Sequence, residues 1–211
     1  MARTILVLVL VLAPAARAQH YLFPRPGEMS LTVAAGVPYL GVTEIATGIT
    51  PRFSAGVLFA VADEIGVGIR PRVLLFDGET ARVALTMPLV YYPPSWKRSG
   101  EDWLYTNPAL RLELSVTPAL RLYSGAGIVF AACTDSVSSL LHGRMPEDDG
   151  DKRMVGGIWP TVHLGGAYAV TPSLSVIFDG ATVLGGITPR AEYARRIGID
   201  MVAELGVSKT F

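Results

Sequence analysis

The sequence predicts an all-β chain closed into an up-and-down antiparallel transmembrane barrel of about ten strands, with eight as the alternative count. Three observations predict it. The 211 residues are 50% hydrophobic with a mean hydropathy of +0.40, yet no apolar stretch reaches the roughly 20 residues that a spanning helix needs. Apolar residues instead alternate with small or polar ones at period two, in segment after segment. The connections between segments alternate short and long, as in a barrel whose tight turns lie on one side of a membrane and whose loops lie on the other.

At the start of the chain, Arg3, the apolar run Ile5 to Leu12 and the small residues of Ala16-Arg17-Ala18 read as an export signal spanning residues 1–18, cut after Ala18. The mature chain then begins near Gln19 with no cysteine there to carry a lipid. Residues 19–27 form a lead-in and 28–211 the barrel. Strands are expected at 28–36, 42–50, 52–62, 64–76, 80–92, 106–116, 119–132, 157–170, 173–184 and 194–211. Most come near the 9–11 residues, roughly, that a tilted strand needs to cross a bilayer.

The alternation is clearest at the end of the chain. There Ile197, Ile199, Met201, Ala203, Leu205, Val207 and Phe211 share one face, against Asp200, Glu204, Gly206, Ser208 and Thr210 on the other. Phe53, Ala55, Val57, Phe59 and Val61 repeat the pattern, as do Leu110, Leu112, Leu114 and Val116. Thr50-Pro51, Asp77-Gly78, Thr117-Pro118 and Thr171-Pro172 supply tight turns after the even strands. Longer joins around 37–41, 93–105, 134–156 and 185–193 follow odd strands, and only the short join near Asp63-Glu64 departs from this parity. A Val-Thr-Pro turn followed by alternation recurs at Val116 and Val170, with a looser copy at Ile49. Pro71, Pro88 and Pro160 fall inside expected strands, where each removes a ladder donor; bulges or rims are their expected places.

With its export signal, Thr-Pro turns and final alternating strand ending in Phe211, the chain resembles the small bacterial outer-membrane β-barrel proteins of the Gram-negative cell envelope. The resemblance implies insertion by the barrel-assembly machinery, with the terminal aromatic Phe211 as its address. Lys209 departs from the pattern, because an apolar residue is expected two places before the end; its ammonium would snorkel to the periplasmic headgroups. Outer-membrane lipid and lipopolysaccharide are the partners implied.

The inward face should carry Arg70, Arg72, Arg82, Arg111, Glu113, Arg121, Asp179, Asp200 and Glu204. Both signs are present, so these charges read as a salt-bridge network filling a narrow lumen, or as the lining of a narrow selective pore. Tyr91, Tyr92, Trp96, Trp103, Tyr105, Trp159, Tyr168 and Tyr193 fall near strand ends and read as aromatic girdles at the two interfaces.

Formal net charge is zero, which excludes the basic footprint of a nucleic-acid binder. One cysteine, Cys133, excludes an intramolecular disulfide and reads as inert. Glu147, Asp148, Asp149 and Asp151 form an acidic loop tip without the ligand spacing of a calcium-binding loop. No metal or cofactor site is expected. His142 and His163 are the histidines weighed for hydrolysis, His163 with Ser173 or Ser175 on the next strand, but no recognisable catalytic motif surrounds them. The leading reading is a non-enzymatic structural or surface-interaction barrel with a mostly filled polar interior. A small channel or apolar-solute passage, an outer-leaflet lipid-modifying enzyme, and a soluble lipocalin-like binding barrel remain open.

Overall fold

The computed structural model of the protein describes residues 23–37, 41–61, 65–93, 103–133, 157–184 and 201–211. The strands are β1 (Met29–Val37), β2 (Gly41–Thr50), β3 (Phe53–Val61), β4 (Ile65–Asp77), β5 (Ala81–Thr86), β6 (Leu89–Tyr92), β7 (Trp103–Thr106), β8 (Ala109–Ser115), β9 (Leu120–Cys133), β10 (Gly157–Thr171), β11 (Leu174–Val183) and β12 (Met201–Thr210). β5 and β6 form one stave interrupted at Met87-Pro88, and β7 and β8 another interrupted at Asn107-Pro108. Thr86 pairs with Ala109 and Leu89 with Thr106, so one register runs through both interruptions. The result is ten antiparallel staves, closed where β1 meets β12 from Ser30↔Thr210 to Val37↔Ala203. The eight-stranded alternative is excluded. The sixth stave begins at Trp103, three residues before its expected start at 106.

The recurring Thr-Pro turns share one device. In each, the threonine Oγ1 accepts a hydrogen bond from the backbone N–H two residues on: Arg52 N to Thr50 at 3.3 Å, Ala119 N to Thr117 at 3.2 Å, and Ser173 N to Thr171 at 3.3 Å. The intervening proline presets φ and has no N–H to leave unsatisfied. The fourth tight turn closes with Gly78 N donating to Ala81 O at 2.9 Å.

The prolines correct one expectation. The register shifts lie at Gly48/Thr50, Leu74/Phe76 and Ala169/Thr171, so Pro71, inside β4, occupies neither a bulge nor a rim. Its carbonyl still accepts from Met87 N at 3.0 Å, as Pro108 O does from Ile128 N and Pro160 O from Leu184 N at 2.8 Å. Each proline therefore costs one of the two bonds of its pair and leaves the register intact.

Parity separates the faces. Phe53, Val57, Phe59 and Val61 of β3, Ile65, Val67, Ile69 and Val73 of β4, Leu164 of β10, Phe178 of β11 and Leu205 of β12 are all exposed, while Ser54, Glu44, Arg72, Glu113, Thr161, His163 and Ser175 are buried. Apolar outside and polar inside is the inverse of a soluble barrel, and an apolar belt running round the ring needs hydrocarbon against it. The soluble lipocalin-like alternative is excluded on this ground. At the end of the chain Phe211 N donates to Met29 O at 2.9 Å. Lys209 Nζ stands 4.9 Å from the Phe211 ring centre, a cation–π contact at the turn end.

The described part of the lead-in crosses the tight-turn mouth. Pro26 bridges to Gly48, Gly27 N donates to Gly48 O at 3.0 Å, and Gly27 takes the φ of 79° that the bend requires. A side chain at Gly48 would strike the Arg25 carbonyl, so glycine is needed for this approach. Phe23 is 3% exposed and packs on Leu74 and Ala84, which pair across β4 and β5 on the inner face. Replacing Phe23 by alanine should cost about 3 kcal/mol, the usual loss for emptying a buried aromatic site, read as a lower urea midpoint for the barrel refolded in lipid vesicles.

Candidate functional site

The lumen is the candidate site, and its charges pair across strands. Glu44, inward on β2, accepts from Arg70 Nη1 at 2.8 Å and from Arg72 Nη2 at 2.5 Å, both on β4. Arg111 of β8 donates to Asp179 of β11 at 3.0 Å and to His163 Nδ1 of β10 at 2.9 Å. Arg121 of β9 donates to Glu113 and Ser115 of β8, each at 2.9 Å, and Arg82 of β5 meets Asp77 of β4 at 2.6 Å. Thr32 and Ser208 close the β1–β12 seam from inside with a buried hydrogen bond of 3.0 Å.

Several of these side chains reach over a glycine on an intervening strand. Glu44 lies over Gly56 of β3, where a Cβ would collide with its Oε1. Arg111 passes over Gly125 of β9, its Cδ 3.4 Å from where a Cβ would stand. Tyr123 of β9 lies over Gly165 of β10 and donates its hydroxyl to Phe178 O of β11 at 2.7 Å. The Tyr92 ring covers Gly66, 2.6 Å from the Cβ position. In a narrow ring, a long side chain reaches the second strand along only where the strand between carries no side chain.

His163 is locked by this arrangement. Arginine can only donate, so His163 Nδ1 accepts from Arg111, while Nε2 stands 3.2 Å from Thr161 Oγ1 and 3.3 Å from Asn107 Nδ2. Thr161 in turn donates to Asn107 Oδ1 at 3.3 Å. Arg111, His163, Thr161 and Asn107 thus form one buried polar cluster that spans β8, β10 and the join between β7 and β8. His163 pairs with Ala181 and Ser175 with Ala169, six residues lower on the same two strands, roughly 20 Å at strand rise. Ser173 sits in the turn after β10. Neither serine meets the imidazole.

Arg70, Arg72, Arg82, Arg111, Glu113, Arg121, Asp179 and Glu204 all stand on the inward parity, and Asp200 lies outside the described residues. The hub of the network, Glu44, was not among the expected charges. It was readable nonetheless: Ile45 and Ile49 facing out force Glu44, Ala46 and Gly48 inward.

The aromatic rings divide. Tyr91 is exposed and Tyr168 half-buried on the outward parity. Tyr92 and Tyr105 line the lumen, and Trp159 is 3% exposed on the inward parity with Thr161 and His163. Adjacent strand residues face opposite ways, so Tyr91 and Tyr92 could not share the outer girdle. Trp103 begins β7; Trp96, Tyr193, His142 and the 147–151 acidic tip lie outside the described residues.

In the loop-end half of the lumen the network leaves a cavity of about 100 Å³, lined by Arg70, Arg111, His163, Asp179 and Glu204 with Leu58, Ala60, Val90, Tyr92 and Tyr105. Among the described residues no group of three metal-ligating side chains converges.

The fold defines a transmembrane β-barrel with a charged interior. No family model and no curated protein sequence matches the chain. Among solved structures it is similar to the N-terminal β-barrel domain of Pseudomonas aeruginosa OprF, at 12% identity and a TM-score of 0.40, covering 87% of this chain and 96% of that one. It is also similar to the NanC porin, at 8% identity and a TM-score of 0.45, covering 86% and 98%. The attachment invasion locus protein Ail of Yersinia pestis matches at 10% identity and a TM-score of 0.33, covering 88% and 99%.

Glu44→Ala should destabilise the folded barrel by about 3 kcal/mol, because it removes the buried carboxylate that the buried Arg72 and the half-buried Arg70 share; urea titration measures it. Gly165→Val should cost about 1–3 kcal/mol by overpacking. Adding Tyr123→Ala should recover part of that loss, a coupling that a double-mutant cycle reads directly.

Proposed function

We propose that the chain is a non-enzymatic outer-membrane β-barrel of the bacterial envelope that does not conduct ions and meets its partners at the loop end. The observation that carries this reading is the interior itself. Paired charges from six of the twelve strand segments cross the lumen, and at the tight-turn end Phe23 packs on the inner-face residues Leu74 and Ala84. The six are β2, β4, β5, β8, β9 and β11, joined by His163 of β10 and by the Thr32–Ser208 hydrogen bond at the β1–β12 seam.

The location follows from the apolar outer belt together with the export signal and the terminal Phe211. Insertion would go through the barrel-assembly machinery, with Phe211 on the exposed side of the seam as its address. Lipopolysaccharide would be the first neighbour of the loop end. The absence of an assembled nucleophile and base at His163 supports a non-enzymatic role over lipid hydrolysis.

The test is a pair of measurements on one preparation. Fractionation should place the protein with outer-membrane material, and the unboiled protein should migrate differently from the boiled one on a denaturing gel. The folded protein in a planar bilayer should then give no discrete current steps in molar potassium chloride. Reproducible steps from the monomer would overturn the sealed-lumen reading and favour the channel.

A further inference from the structure

The lumen cavity is lined by charged residues of both signs that the network pairs only in part. Asp179 and Glu204 are direct cross-strand partners on β11 and β12, so two carboxylates stand side by side on the inner face. Like charges placed this way repel unless something compensates. Arg111 takes only one oxygen of the pair, Asp179 Oδ2; Asp179 Oδ1 is buried without a hydrogen-bond partner. Glu204 makes no hydrogen bond or ion pair with any described residue. On the donor side, Arg111 Nε is also buried without a partner.

Asp179, Glu204 and Arg111 line one cavity of about 100 Å³. A single water needs roughly 10–15 Å³ on this measure, so several waters, or one solute of a few heavy atoms, can enter. The chemistry of the wall narrows the choice. A simple anion would meet the carboxylates of Asp179 and Glu204, and a simple cation would meet the guanidiniums of Arg70 and Arg111. A molecule with both charges satisfies both sides, its positive end relieving the carboxylate pair. Leu58, Ala60 and Val90 complete the wall with apolar surface.

We propose that this cavity is a binding site for a small zwitterion, an ammonium and a carboxylate on one carbon with a short apolar substituent. The ammonium lies against the Glu204–Asp179 carboxylate pair, and the carboxylate lies on the side of Arg70 and Arg111. The site rests on the sealed-lumen reading only for its closed floor, and the two fail separately: a conducting barrel that still binds the zwitterion overturns that reading alone.

The experiment titrates the refolded protein in detergent with L-alanine, acetate and methylammonium, followed by saturation-transfer NMR and calorimetry. Alanine should bind saturably and at least about tenfold more tightly than either half-ligand, since each lacks one charge-assisted contact. Glu204→Gln should weaken alanine about tenfold while the gel shift on boiling persists. Ala60→Leu, which fills the cavity without touching a charge, should abolish binding and leave the fold intact. Acetate or methylammonium binding as tightly as alanine, no saturable alanine binding, or unchanged affinity in both folded variants would overturn the proposal. The half-ligand comparison needs no variant, so a misfolded substitution does not remove the test.

Discussion

Everything in this structure depends on the seam between β1 and β12. In a bilayer there is no water to satisfy an exposed strand edge, so a sheet can cross only when its first and last strands pair and no edge remains. Here the closing strands pair residue for residue from Ser30↔Thr210 to Val37↔Ala203, with Thr32 and Ser208 bonded on the inside. Closure at ten staves then sets the width of the ring. A ring this narrow can be filled by its own side chains, and the rest of the interior follows from that crowding.

Crowding explains why glycines and long polar side chains occur as pairs. Glu44 over Gly56, Arg111 near Gly125 and Tyr123 over Gly165 each turn a neighbour-to-neighbour contact into one that skips a strand. Such contacts tie the ring together across its wall as well as along its ladders. They also let a few charges serve many strands: Arg111 alone engages β10 and β11 through His163 and Asp179. The interior layers are therefore connected, and removal of one member leaves its buried partners exposed to the full cost of an unpaired charge.

Much of the fold was legible in the residues because a membrane barrel repeats one rule. Period-two alternation located all ten staves, and the threonines of the Thr-Pro turns marked the tight-turn end through a local hydrogen bond that needs no tertiary context. The site was less legible. Parity alone would have placed Glu44 and Trp159 inside, but each was read by residue type: the acid was overlooked on a small-residue strand, and the indole was assigned to a headgroup girdle. The Phe23 strap gave no signal, since its packing on Leu74 and Ala84 joins segments about fifty residues apart or more in the chain and no local pattern encodes a long-range contact. Pro71 misled for another reason. The loss of its one donor was expected to require a bulge or a rim, whereas the bond kept by its carbonyl holds the register through it.

The charged interior raises a final question of energetics, because a buried ion pair stabilises little relative to apolar groups of the same size. In this barrel the relevant alternative is a shifted register. A slip by one residue sends every inward side chain outward. With an apolar lumen such a slip would cost almost nothing, since lipid and lumen would offer similar surroundings. With Glu44, Arg72, Glu113 and Arg121 inside, the same slip would carry each of them into hydrocarbon, at several kilocalories per mole apiece by the usual cost of desolvating an ion. The ion pairs thus act chiefly by making the alternative pairings expensive. A carboxylate such as Glu204, which meets no ion-pair partner among the described residues, adds to that discrimination while leaving a charge that a ligand can meet.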